Sequence, residues 1–144
     1  MKRLIILSFM LISYSVCAQT QKDSLAIKET SLNYIEGFYT NDYKRVEKAI
    51  HSELAKRIIL KDTLGNFFVR NMGSSELIYN TKKFKKTIDK RNEPFQSTVI
   101  IFDVSNDISL IKVTQNKMPF FDYLQLAKIN GEWKIINVLW ARFE

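Results

Sequence analysis

Asp122 is the residue of this sequence best placed to transfer protons. In the segment 120–129 the side chains alternate, and one face carries Asp122 with Leu124 and Leu126. A carboxylate in a poorly hydrated pocket has its charged form disfavoured, which is how a general acid or base is poised near neutral pH. The alternative is a structural carboxylate bonded to a neighbouring Lys, Arg or backbone N–H. Both interpretations of Asp122 stay open at this point.

Asp103 and His51 are further candidates for the same chemistry. Asp103 shares a face with Val99 and Ile101, but it stands at a strand end, where an Asp commonly belongs to a turn. His51 is the only imidazole; it follows a predicted helix and could exchange protons at neutral pH or cap that helix. One imidazole with scattered carboxylates predicts no metal site, and no cofactor is indicated.

Several aromatic side chains lie on faces that can point inward, where a flat heteroaromatic ligand would stack on them. They are Tyr34, Phe38, Trp133 and Trp140. Tyr34 and Tyr123 also carry hydroxyls that could point at a ligand. Plain core packing is the alternative for each ring. Both alternating faces of the last strand are apolar, and such a sheet usually has a partner on its second face, which favours an oligomer.

Helices followed by a meander of strands would position these residues. We expect helices from Asp23 or Ser24 to about 39, from 43 to about 50 with a further turn through 55, and from Ser74 or Ser75 to about 88. Short strands at 57–61 and 67–70 separate the last two. From 95 the period becomes two, which predicts strands at 95–104, 108–116, 120–129 and 132–143 with an Asn-Gly turn at 130–131. Short connections predict antiparallel pairing, and the helices would cover one face of a curved sheet, an α+β fold.

The first eighteen residues have the pattern of an export signal. Lys2 and Arg3 precede a mostly apolar 13-residue stretch, and Val16 and Ala18 stand at the −3 and −1 positions of a cleavage site. The stretch is shorter than the roughly 20 residues that span a bilayer. We therefore expect a signal peptide at 1–18, one domain at 19–144, and a periplasmic or secreted protein without a stable membrane anchor. A lipoprotein signal at Cys17 and a retained anchor helix are the alternatives.

Composition excludes several classes of function for the exported chain. The cleaved chain contains no cysteine, which excludes a thiol nucleophile and a disulfide. Removing Lys2 and Arg3 lowers the net charge from +7 to +5. The densest run of basic residues, at 82–91, lies mostly on the outer side of one predicted helix and belongs to no known nucleic-acid-binding module. It predicts a solvated face, and no nucleic-acid partner is expected.

Two segments near the end of the chain carry a family resemblance. Phe-Asp-Tyr-Leu-Gln-Leu at 121–126 is followed by Asn-Gly-Glu-Trp-Lys-Ile-Ile-Asn-Val-Leu-Trp at 130–140. With Tyr-Ile-Glu-Gly-Phe-Tyr at 34–39 and His-Ser-Glu-Leu-Ala-Lys-Arg at 51–57, they resemble the putative lumazine-binding family of the nuclear-transport-factor-2-like superfamily over about 24–143. Ser52 departs from the proline usual in that family. The resemblance implies a cone-shaped fold with helices covering a pocket on the concave sheet face, and dimers through the outer sheet face.

The resemblance implies no single chemistry, because relatives of this fold include isomerases, dehydratases, polyketide cyclases and non-enzymatic binding domains. Three hypotheses follow from the residues. The first is an exported domain that holds a small apolar or heteroaromatic ligand. The second is an acid/base enzyme, of isomerase or dehydratase type, that uses Asp122 or His51. The third is a non-catalytic module that forms a homodimer or docks a partner. An enclosed cavity near these residues would favour the first two.

Overall fold

A computed structural model describes residues 2–83 and 93–143, and the elements in these two stretches form helices packed on a sheet. The helices are α1 (Lys2–Thr40), α2 (Tyr43–Ala49) and α3 (Ser74–Lys83). The strands are β1 (Ile50–Lys61), β2 (Phe67–Met72), β3 (Ser97–Ser105), β4 (Ile108–Gln115), β5 (Phe120–Ile129) and β6 (Glu132–Arg142). The third helix is confirmed up to Lys83, while its predicted continuation and much of the basic run lie outside the described residues.

Helix α1 runs through the position where a helix start was expected. The prediction of an N-cap at Asp23 or Ser24 was wrong, because both residues lie inside α1. The Asp23 carboxylate instead accepts hydrogen bonds from Lys128 Nζ at 2.7 Å and Trp133 Nε1 at 3.0 Å. Asp23 thus ties the helix to the β5–β6 hairpin.

The boundary between α2 and β1 also differs from the sequence expectation. Asp42 caps α2 as predicted, and its side chain accepts from the backbone N–H of Arg45 at 3.2 Å. The further helical turn through Ala55 was wrong, because β1 begins at Ile50. Ile50 and Ala55 pair with residues of β6, so that distant strand pairing overrides the local helical pattern.

The six strands form one sheet in the order β2-β1-β6-β5-β4-β3. Consecutive strands joined by short connections pair antiparallel, as predicted, whereas β2 and β3 lie at opposite edges of the sheet. Strands β1 and β6 pair parallel, a contact that no short connection constrains. Asn130 and Gly131 both have positive φ in the β5–β6 turn, which is the backbone that an Asn-Gly hairpin turn requires.

A bulge in β6 brings both tryptophans of that strand to the inner face. The register skips one residue between Ile135 and Asn137, so that the strand takes an extra residue there. Trp133 and Ile135 face inward before the bulge, and Val138 and Trp140 face inward after it. With strict alternation along β6, Trp133 and Trp140 would lie on opposite faces of the sheet. The bulge sets Trp140 directly opposite Asp122.

The core lies between the helices and the concave sheet face. Its buried members include Ile27 and Ile35 of α1, with Ile111 and Leu124 of the sheet. The outer face carries apolar side chains that the helices do not cover. Within 2–83 and 93–143, no helix is both long and apolar enough to cross a membrane.

Candidate functional site

Three polar side chains meet inside the core, where apolar packing would be expected. Lys56 Nζ donates to Asp122 Oδ1 at 2.5 Å and to Tyr34 Oη at 2.6 Å. The Tyr34 hydroxyl donates to the same Asp122 oxygen at 3.3 Å. Asp122 is fully buried, and Tyr34 and Lys56 are 2% and 7% exposed. An ammonium, a phenol and a carboxylate thus form one network that bulk water does not reach.

Helix α1 and two strands supply this network. Tyr34 belongs to the buried stripe of α1 together with Ile27 and Ile35. In β1, Lys56 alternates with Leu54 and Ile58, which are both buried. In β5, Asp122 alternates with Leu124 and Leu126, as expected from the sequence. Each charged residue therefore takes an inward position of a strand whose neighbouring inward positions are apolar.

Sequence reasoning missed Lys56 because the helical turn was extended through Ala55 and the strand was predicted to begin only at Arg57. Had the strand been extended back to Leu54, the alternation of Leu54, Lys56 and Ile58 would have placed a lysine on an apolar face. That is the same signal that identified Asp122. The two oppositely charged residues would then have been recognised as candidate partners.

Burial perturbs the protonation of the network. Burial lowers the pKa of Lys56 from its usual value, and the neighbouring Asp122 opposes part of that shift. Burial raises the pKa of Tyr34 well above its usual value, and the negative charge of Asp122 adds to the effect. The second carboxylate oxygen of Asp122, Oδ2, is buried and has no hydrogen-bond partner among the described residues. The network therefore has unused hydrogen-bonding capacity.

An apolar cavity of about 140 Å³ adjoins Lys56. Its walls combine three aromatic rings, two apolar side chains and one amide: Phe38, Phe120, Trp140, Met72, Leu77 and Asn80. Lys56 Nζ lies 5.0 Å from the ring centre of Trp140 and 5.7 Å from that of Phe120. These rings attract the ammonium through their faces. The cavity thus has mostly aromatic and aliphatic walls with two polar groups, Lys56 and Asn80, which is the composition typical of small-molecule sites.

Four of the predicted site residues come together here. Asp122 and Tyr34 belong to the hydrogen-bonded network, and Phe38 and Trp140 line the cavity. The structural alternative for Asp122, a carboxylate bonded to a neighbouring Lys, describes its observed contact with Lys56. That contact leaves a chemical role open, because Lys56 itself faces the cavity.

His51 and Asp103 lie elsewhere. His51 is half-buried at the start of β1, and its Nδ1 accepts from the backbone N–H of Glu53 at 3.2 Å. Asp103 is exposed and accepts from the Ser105 hydroxyl. The expectation that Asp103 shares a face with Ile101 was wrong, because the β3 register shifts between them and reverses the alternation. Neither residue borders the cavity beside Lys56.

Tyr123 and Trp133 are also separate from the network. Tyr123 is 38% exposed on the outer sheet face, where it lines an open concavity of about 410 Å³ with Leu110 and Leu139. Trp133 is buried, and its indole N–H donates to Asp23. Across 2–83 and 93–143, no group of three or more His, Cys, Asp or Glu side chains could hold a metal ion.

Comparison with known proteins identifies the family and the fold. The family model described as putative lumazine-binding matches residues 22–141. A search of curated proteins found no match. A nuclear-transport-factor-2-like protein of unknown function from Shewanella baltica is similar in structure, with a TM-score of 0.68 at 15% identity over 85% of this chain and 95% of that chain.

Two further solved structures share the fold. One is a ketosteroid isomerase-like protein from Erwinia carotovora atroseptica, with a TM-score of 0.58 at 12% identity over 83% of this chain and 95% of that chain. The other, described as a putative dehydratase from Streptomyces avermitilis, has a TM-score of 0.55 at 12% identity over 87% of this chain and 99% of that chain. These likenesses confirm the predicted cone-shaped α+β fold.

Proposed function

Because the chain belongs to the putative lumazine-binding family, we propose that it binds a small apolar or heteroaromatic molecule in the cavity beside Lys56. One observation carries this proposal: in a buried, hydrogen-bonded ion pair, the lysine lines a cavity whose walls are mostly aromatic. The family and the solved neighbours support ligand binding in general.

Selection for stability alone would not be expected to keep the Lys56–Asp122 ion pair in the core. Taking both charges out of water has a cost of several kcal/mol per ion, and replacement by packed apolar residues is often neutral or stabilising. Asp122 Oδ2 also has no partner in the described part of the chain. A ligand-binding role accounts for the retention of the buried charges, since binding sites keep a few polar groups in otherwise apolar walls.

A thermal-shift series with one-ring and two-ring aromatic compounds tests this function. A ligand present at ten times its Kd adds about 1.4 kcal/mol to the free energy of unfolding, which raises Tm by roughly 4 °C. Met72→Trp fills the cavity from the partly exposed end of β2 and is expected to abolish the shift. Phe67→Trp, at the exposed start of the same strand, is the matched control and is expected to keep it. No shift with any compound would remove the support for this function.

An acid/base enzyme of isomerase or dehydratase type is the second candidate. The observation that favours it is the continuous network of phenol, carboxylate and ammonium, whose ammonium reaches the cavity wall. Lys56 is the member of the network that lines the cavity, and Asp122 and Tyr34 would exchange protons with a bound molecule through it, while His51 lies outside the network. Two solved neighbours carry the descriptions ketosteroid isomerase-like and putative dehydratase.

Exchange of the α-protons of a small ketone in D₂O tests proton transfer without knowledge of the substrate. The enzyme hypothesis predicts that the protein accelerates this exchange and that Asp122→Asn, checked for a native circular-dichroism spectrum, abolishes the acceleration. His51→Ala is the control that keeps it. A wild-type rate equal to that of buffer contradicts the enzyme hypothesis and leaves ligand binding intact.

We also propose a homodimer through the outer sheet face. Leu110, Tyr123 and Leu139 are 40%, 38% and 53% exposed on neighbouring strands around the 410 Å³ concavity. An apolar patch of this kind on one sheet face marks an interaction site. Sedimentation equilibrium is expected to give a mass twice that of the chain.

Export is the remaining part of the proposal. The sequence pattern at 1–18 supports cleavage after Ala18. Intact-mass analysis of protein recovered from outside the cytoplasm is expected to show a chain that begins at Gln19. Ala18→Glu, which removes the small residue from the cleavage site, is expected to leave the chain uncut. An uncut wild-type chain in the same fraction would contradict cleavage.

A further inference from the structure

The ammonium of Lys56 has one N–H that no acceptor satisfies in the described part of the chain. A lysine ammonium has three donors. Two of them reach Asp122 Oδ1 and Tyr34 Oη. The other neighbours of Nζ are ring faces, with centroids 5.0 to 5.7 Å away, and a ring face is a weak substitute for an oxygen acceptor.

The cavity is where this donor can be satisfied. Among the residues that the structure describes, Lys56 is the only charged one in its lining. Asn80, on the opposite element α3, is the other polar residue, and its amide N–H makes only a long contact of 3.8 Å to Met72 Sδ. The remaining lining residues are aromatic or aliphatic. A bound molecule would therefore meet Lys56 as its principal hydrogen-bond donor.

The cavity volume limits the size of that molecule. A space of about 140 Å³ is close to the roughly 150 Å³ of an engineered apolar cavity that binds benzene. Sites for drug-sized ligands are larger, from about 300 Å³. One six-membered ring with a short substituent therefore fits, while a larger ring system requires the walls to move.

The charge of the network determines whether the acceptor group of the ligand can be anionic or must be neutral. Asp122 already balances the charge of Lys56, and both are buried. An anionic ligand would leave an excess negative charge in a poorly hydrated site, which is unfavourable. A neutral carbonyl oxygen satisfies the third N–H without adding charge.

We propose that this site selects a single aromatic ring bearing a neutral carbonyl group, and that the carbonyl oxygen accepts the free N–H of Lys56. This inference rests on the proposed ligand-binding function and names its ligand class. It makes Lys56 the specificity-determining residue, with Phe38, Phe120 and Trp140 holding the ring.

Three probes of similar size test separately the contributions of the ring, of the acceptor and of the acceptor's charge. Acetophenone has a ring and a neutral acceptor, ethylbenzene has the ring without the acceptor, and benzoate has an anionic acceptor. We expect the full chain, measured by NMR titration, to bind acetophenone at least about tenfold more tightly than ethylbenzene, since a hydrogen bond to a charged group has that magnitude. Benzoate is expected to bind more weakly than acetophenone.

Lys56→Met removes the donor and is expected to bring acetophenone and ethylbenzene to equal affinity. Because that variant leaves Asp122 unpaired and can unfold, Lys56→Met/Asp122→Leu serves as a second variant with the same expected loss of preference. Equal wild-type affinities for the two neutral probes, or a preference that persists in the variants, overturns the ligand class while ethylbenzene binding still supports the proposed function. Failure of all three probes overturns both.

Discussion

Lys56 and Asp122 form an ion pair across an intervening strand. Lys56 pairs in register with Val138 of β6, and Asp122 pairs with Trp140 of the same strand from the other side. Two strand spacings, about 10 Å, therefore separate the backbones. The long lysine side chain crosses this gap over the inner face of β6, and its nitrogen reaches Asp122 Oδ1 at 2.5 Å. The contact joins β1 to the β3–β6 meander through the core.

Breaking this pair on one side is expected to destabilise the protein strongly. Lys56→Met preserves side-chain length but leaves a buried carboxylate without its cation, which costs about 3–5 kcal/mol. Urea unfolding at pH 7 measures the loss. Lys48→Met is the matched control, since Lys48 pairs with Glu29 at the surface, and it is expected to cost at most about 1 kcal/mol.

Removing both charges is expected to recover stability. Lys56→Met/Asp122→Leu should be more stable than Lys56→Met alone, because no unpaired charge remains in the core. Both variants are measured by the same urea unfolding. If the double variant is the less stable of the two, the destabilisation comes from lost packing and the ion-pair explanation is wrong.

Tyr34 is expected to make stability fall at high pH. Its pKa is raised in the folded state, so that above its usual pKa of about 10 the unfolded chain loses a proton that the folded chain keeps. The contribution of Tyr34 to the free energy of unfolding is complete below about pH 10. Above that pH it falls by about 1.4 kcal/mol per pH unit, until the pKa of Tyr34 in the folded state is reached.

Comparison with Tyr34→Phe isolates this contribution. The advantage of wild type over Tyr34→Phe in free energy of unfolding is expected to shrink between pH 9 and pH 11. Tyr123→Phe, on the exposed outer face, controls for the loss of a hydroxyl. A difference between wild type and Tyr34→Phe that stays constant over this range argues against a buried, proton-retaining phenol.

Gly37 lets α1 and α2 approach closely, and a methyl group there is expected to destabilise the protein. A Cβ at this position would lie 3.0 Å from Arg45 Cβ and 3.1 Å from Val46 Cγ2. Overpacking costs about 1–3 kcal/mol and outweighs the gain in helix propensity. Thermal unfolding of Gly37→Ala should show a lower Tm. Gly73→Ala, where the new methyl group meets nothing within 4 Å, should unfold near the wild-type temperature.

A charge on the outer sheet face is expected to dissociate the proposed dimer. Leu139 pairs with Tyr123 in the middle of this face and is 53% exposed. Leu139→Arg places an unpaired charge in a self-complementary contact and should give a folded monomer by light scattering. Leu64→Arg, in the β1–β2 turn, is the control that leaves the mass unchanged. If the Leu139→Arg variant stays dimeric, the dimer contact lies elsewhere on the protein.

Local patterns predicted much of this fold. The four strands of the meander, the Asn-Gly turn and the Asp42 cap follow from alternation and turn chemistry over a few residues. The parallel pairing of β1 with β6 and the length of β1 could not be predicted in this way. They depend on contacts between residues about 80 positions apart, such as Ala55 with Asn137.

Two of the three residues of the network, Tyr34 and Asp122, were candidates from the sequence alone. Asp122 stood out because β5 alternates regularly around it. Lys56 was missed because β1 was predicted to begin too late in the sequence. Trp140 was predicted only as a candidate for an inward-facing ring, and it does face inward. The bulges in β3 and β6 reverse the alternation, and no local signal distinguishes a bulged strand from a regular one. They moved Asp103 outward and placed Trp140 beside Asp122.

The most direct test of the account is the stabilisation of the wild-type chain and of Met72→Trp by acetophenone, measured as Tm in parallel samples. We expect a rise of roughly 4 °C for wild type at ten times Kd and no rise for Met72→Trp, whose side chain occupies the cavity. An equal response of the two proteins, or no response of wild type at saturating acetophenone, would contradict it.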